Sequence, residues 1–247
     1  MKTLNLLLGS AWLTTASLLS ALPAFAQSKP IALVGSSYGK YEIKAIVKDL
    51  LPASGQKGLL YEDLGEEFPV ADLDRYRLVI VATAVATPLD AAGFAKLEVW
   101  VRDGGHLLLI HQAPNAMAGP EASVKATPFA WAGFSRAAYH RTLVECALLA
   151  PDSRVFKGAF EDDAPKKGKK PEWMMRANML LTTKGGPMEN LVGSPMGCLV
   201  GFAPIDRGWV AYLGHEWFRL RAAKSDLDGS WRRILLNLVD DTVSAKP

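Results

Sequence analysis

An α/β fold built on an open, mostly parallel sheet with helices on both faces is what this sequence predicts, from three observations. Short, wholly apolar runs recur at Ile31-Ala32-Leu33-Val34, Leu78-Val79-Ile80-Val81-Ala82 and Leu107-Leu108-Leu109-Ile110, the pattern of strands buried on both faces. Apolar residues at helical spacing lie between them, as in Phe94, Leu97, Trp100 and Val101. Strand, helix and strand alternating over a short length imply right-handed βαβ crossovers.

The elements follow in order. The run from Ile31 ends in the small, polar turn Gly35-Ser36-Ser37, and Ile43, Ile46, Val47 and Leu50 mark a helix over residues 41–51. A second short strand falls at Leu59-Leu60-Tyr61 and a third at Leu78 to Ala82. Thr87-Pro88-Leu89-Asp90 is expected to open the next helix, with Pro88 in its first turn, and Asp103-Gly104-Gly105 to stop it. Residues 114–128, rich in Ala, Pro and Gly, read as irregular, and Lys166-Lys167-Gly168-Lys169-Lys170-Pro171 as a solvated loop. Met179-Leu180-Leu181-Thr182-Thr183 reads as a strand. The runs from Cys198 to Ala203 and from Trp209 to Leu213 read as the arms of a hairpin. A closing helix over 230–243 turns Ile234, Leu235 and Leu238 inward.

The 247 residues, 49% of them apolar, suffice for a real core, and a formal charge of +3 is too small for a protein that binds by neutralising nucleic-acid phosphates. At the start, Met1-Lys2 leads into an apolar run interrupted by Gly9, Ser10 and several Thr, which ends at Ala24-Phe25-Ala26. That is the pattern of a secretory signal peptide over 1–26, cleaved before Gln27. It implies a periplasmic or secreted protein with no membrane span after cleavage. Residues 27–247 then form a single domain with an irregular insertion around 114–195. Cys146 and Cys198 sit in apolar contexts and fit one bridge or two buried thiols equally well.

Ligands of parallel sheets collect beyond the carboxyl ends of the strands, so the polar residues that end strands are the candidates. These are Ser36, Ser37, Thr83, His111 with Gln112, and His215 with Glu216. His111 and His215 suit general acid-base work, with Glu216 able to orient or charge a ring. Ser36, Gln112 and Trp217 would contact the substrate. The opposing reading of each His is a packed ring bonded to backbone. His106, at the start of its strand, reads as structural. A metal needs several aligned ligands, and His111 with His215 or Glu216 does not make a set, so no metal and no cofactor is assigned. There is no P-loop, no Gly-x-Gly-x-x-Gly, no Gly-x-Ser-x-Gly elbow and no zinc spacing.

Gly105-His106-Leu107-Leu108-Leu109-Ile110-His111 and Arg207-Gly208-Trp209-Val210-Ala211-Tyr212-Leu213-Gly214-His215, with Arg232-Arg233-Ile234-Leu235-Leu236-Asn237 downstream, resemble segments of the trehalose-utilisation (ThuA-like) proteins. These belong to the class I glutamine-amidotransferase-like superfamily. The resemblance implies a flavodoxin-like sheet and a link to sugar metabolism. It departs at the strand-end turn, where the superfamily's nucleophilic Cys is replaced by His111, so glutaminase activity is not implied; Glu161-Asp162 is the candidate for the family's acidic partner. Two functions follow. One is an exported protein that acts on or binds a carbohydrate at the rim. The other is a non-catalytic envelope module that uses the same scaffold to bind a partner. A small-molecule or glycan ligand is expected, nucleic acid is not, and the oligomeric state is left open.

Overall fold

The structure, a computed structural model, describes residues 29–35, 60–125, 128–159, 175–214 and 233–240, with backbone alone for 120–125 and 175–178. Among these, nine strands form one sheet: β1 (Ile31–Gly35), β2 (Tyr61–Asp63), β3 (Leu78–Ala82), β4 (His106–Ile110), β5 (Phe134–Leu148), β6 (Met175–Thr183), β7 (Glu189–Ser194), β8 (Gly197–Ile205) and β9 (Gly208–Leu213). Their order is β2-β1-β3-β4-β9-β8-β6-β5-β7. Three helices accompany them: α1 (Ala91–Arg102), α2 (Ala113–Lys125) and α3 at residues 233–240.

The expected open, mostly parallel, flavodoxin-like α/β sheet is not what forms. The pairs β1–β2, β1–β3, β3–β4 and β4–β9 are parallel. The five others, β5–β6, β5–β7, β6–β8, β7–β8 and β8–β9, are antiparallel. Because β7 also pairs with β8, strands β5, β6, β8 and β7 close into a four-strand barrel. The cause lies in β5. Its pairing with β6 is interrupted between Tyr139 and Val144 by a wide bulge, which bends the strand, and its last residues, Ala147 and Leu148, pair with β7 instead. A strand that changes partner along its length joins two edges that would otherwise stay open.

Alternate residues of the parallel strands feed two cores. Ile31, Leu33, Leu78, Ile80, Leu108, Ile110 and Trp209 pack with Ile234, Leu235, Leu238 and Val239 of α3. Ala32, Val34, Val79, Val81, Leu107, Leu109 and Tyr212 pack with Phe94, Leu97 and Trp100 of α1 and with Met117 of α2. Helix α1 begins later than expected. Asp90, not Pro88, marks its start, with the carboxylate accepting from Gly93 N at 2.7 Å. At its far end Gly105 lies against the Trp100 ring, in the space a Cβ would need.

The stretch expected to be irregular after Pro114 is helical, with a break at Gly119 (φ 71°). Asn115 clips it to the barrel, donating to Ala137 O at 2.7 Å and accepting from Ala137 N at 3.0 Å. The helix expected over 41–51, the Lys166 to Lys170 run, Glu161-Asp162 and the leader expected over 1–26 lie outside the described residues.

Candidate functional site

The register of the parallel strands aligns their carboxyl ends. Gly35 pairs with Ala82, Ala82 with Ile110, and Ile110 with Leu213, so Thr83, His111 and Gly214 follow one another along a single rim. Thr83 N donates to Ile110 O at 3.3 Å, and His111 N donates to Leu213 O at 2.8 Å. Three non-glycine residues have positive φ among the described residues: Thr83 (64°), His111 (55°) and Asp206 (49°). Asp206 lies in the β8–β9 turn, where Asp tolerates the left-handed region. The other two are neighbours on the rim.

His111 is 6% exposed. Its carbonyl accepts from the Tyr212 hydroxyl at 3.1 Å, and burial holds that phenol well above its usual pKa, so it stays a donor. The left-handed turn at His111 is thus fixed from both sides by β9. Gln112 follows, exposed, with its carbonyl accepting from Asn115 N and Ala116 N at 2.9 and 3.0 Å as α2 begins. Ser36, His215, Glu216 and Trp217 lie outside the described residues. The first directly follows Gly35, and the other three directly follow Gly214.

The remaining histidines are elsewhere. His106, at the amino end of β4, is 5% exposed and stacks on Trp209 at 4.8 Å and 16°. Phe202 lies 5.6 Å from Trp209, and Arg154 stands 4.9 Å over Phe202. Burial, then the charges of Arg77 and Arg154, push the His106 pKa down to about 4. His140 belongs to the bulged part of β5. Cys146 and Cys198 are buried free thiols in different cores, and burial raises Cys146 to about 11 and Cys198 further. Among the described residues no group of three or more His, Cys, Asp or Glu is placed to hold a metal, and no helix is long and apolar enough to cross a membrane. A groove of about 440 Å³ on the flank of α1, lined by Leu89, Asp90, Phe94, Glu98, Pro128 and Trp131 among others, touches none of the rim residues.

Sequence reasoning placed His111 and Thr83 at strand ends but missed their backbone strain and the support from Tyr212. A residue on another strand leaves no trace in the local pattern, and nothing in the composition around Thr83 announces a positive φ.

No family model matches the sequence, and no curated protein does. Solved structures do. A cytoplasmic protein from Salmonella typhimurium superposes with a TM-score of 0.55 at 12% identity, over 86% of this chain and 98% of that one. A protein described as ThuA-like from Bacteroides uniformis gives 0.52 at 14% identity, over 90% and 94%. The chain shares its fold with a ThuA-like protein. A cold-adapted β-galactosidase from Rahnella sp. R3 gives 0.53 at 12% identity, over 87% of this chain and 31% of that one. At these identities the likeness is one of fold.

Proposed function

We propose that this chain is an exported ThuA-like protein that holds a carbohydrate at the carboxyl ends of β3, β4 and β9, with His111 as the group that gives or takes a proton there. The observation that carries the reading is His111 itself, held at φ 55° at the end of a fully buried central strand. Strain of this kind costs about 1–3 kcal/mol and persists where the surroundings enforce it, most often at functional sites. The chain shares its fold with a ThuA-like protein, and the link to sugars is the one that the ThuA-like resemblance of its strand-end segments implies. His215, Glu216 and Trp217 follow Gly214 in sequence, and with Ser36 and Gln112 they are the proposed partners of His111. With a histidine where the amidotransferase-like superfamily carries its nucleophilic Cys, no glutaminase chemistry is proposed.

A second reading has its own observation. The burial of His111 and the bonds its backbone makes to Leu213 and Tyr212 suit a structural turn in a non-catalytic envelope module.

His111→Asn separates the two, because Asn tolerates positive φ while removing the imidazole. On the first reading the variant keeps its thermal midpoint and loses the shift that trehalose or glucose gives the wild type. On the second the backbone bonds of the turn persist, the packing of a buried ring is lost at a cost of about 0.5–3 kcal/mol, and the variant responds to ligands as the wild type does.

A further inference from the structure

Thr83 is the rim residue that the proposed site does not yet use. It follows Ala82, whose register partner is Ile110, so it stands directly beside His111. Its φ of 64° is an outlier for a β-branched residue. On the same rim Gly35, with φ 145°, and Gly214 occupy the positions where the chain is crowded. Glycine would give Thr83 its backbone geometry without strain. A side chain is kept here against that cost.

That side chain is half-buried and chemically committed. The hydroxyl donates to Ala82 O at 2.7 Å, which uses its one proton and leaves the Oγ1 lone pairs. The backbone N–H is taken by Ile110 O. What Thr83 offers an incoming molecule is therefore an acceptor with no donor.

We propose that Thr83 is a second ligand-contacting residue of the rim, accepting a hydrogen bond from a hydroxyl of the bound molecule through Oγ1. The proposal rests on the reading that a carbohydrate binds beside His111, and it specifies the ligand as one that presents a donor at this point. Sulfate, which at neutral pH offers only acceptors, finds no partner there.

Isothermal titration of the mature protein with trehalose and with D-glucose tests this, using Thr83→Val, Thr83→Ser, Thr83→Gly and His111→Asn. Thr83→Val keeps the shape and removes the acceptor, so it should weaken sugar binding by about 5-fold. Thr83→Ser should bind within 2-fold of the wild type. Thr83→Gly should also bind weakly, yet melt about 2 °C or more higher because strain is released; it reads the same loss if the Val variant does not fold. Val binding within 2-fold of the wild type while His111→Asn loses binding overturns the role of Thr83 and leaves the rim reading intact. A Thr83→Gly midpoint below that of the wild type overturns the strain argument. If neither sugar binds the wild type, the rim reading and this inference fall together.

Discussion

His106 shows how a single residue ties burial to pH. In the native protein it is neutral, with its pKa pushed down to about 4 by burial and then by the charges of Arg77 and Arg154, against 6.5 when unfolded. As pH falls from about 6.5 towards 4, the unfolded chain takes a proton that the native ring refuses. Stability is therefore complete above that window and falls through it, by roughly 3 kcal/mol in total. Thermal midpoints measured between pH 7 and 4 should drop accordingly, and His106→Leu should flatten the profile. An unchanged slope in that variant would show that other groups carry the acid sensitivity. Reading His106 as structural needed only its place at the start of an apolar strand. The Trp209 ring that stacks on it and helps to bury it comes from β9, far along the chain.

At the scale of elements, helix α2 is tied to β5 through the amide of Asn115. Asn115 acts as a short piece of strand, meeting both the N–H and the C=O of Ala137, a residue 3% exposed. Asn115→Ala leaves both groups buried and unpaired, which should cost about 2–4 kcal/mol. Asn115→Asp should cost at least as much, since it sets a carboxylate against a carbonyl. Chemical denaturation measures both, and a loss below about 0.5 kcal/mol for the Ala variant would mean that α2 is held by packing alone. The helix was not legible because residues 114–128 carry Pro114, Gly119 and Pro120 in a weakly periodic stretch. Its regularity is imposed by the surfaces of β4 and β5.

For the whole molecule, the sheet passes from a parallel half, which carries the rim, to an antiparallel half that closes on itself. The rim looks away from the ends at which α1 is tied down by Arg102 to Asp206 and Arg207 to Asp103. Such exposed pairs are worth little individually, so the seam between the halves is held by the β8–β9 ladder and the two cores. The proposal of export belongs to this scale as well. Protein recovered from the envelope should begin at or near Gln27, and N-terminal sequencing that finds Met1 would overturn it.

The sequence by itself determined which strands are buried on both faces. Ile31 to Val34, Leu78 to Ala82 and Leu107 to Ile110 are wholly apolar, and two-sided burial is written into such runs whatever their neighbours. It also determined the β8–β9 hairpin and the inward face of α3, because turn residues and helical spacing are local signals. Only the tertiary structure decided strand direction in the second half of the sheet, the closure of β5, β6, β8 and β7, and the support that Tyr212 gives to His111. Apolar periodicity records how much of a strand is buried but not which strand lies beside it or in which direction it runs. The bulge in β5 and the positive φ of Thr83 and His111 are set by neighbours distant in sequence, and local residue patterns carry no record of them.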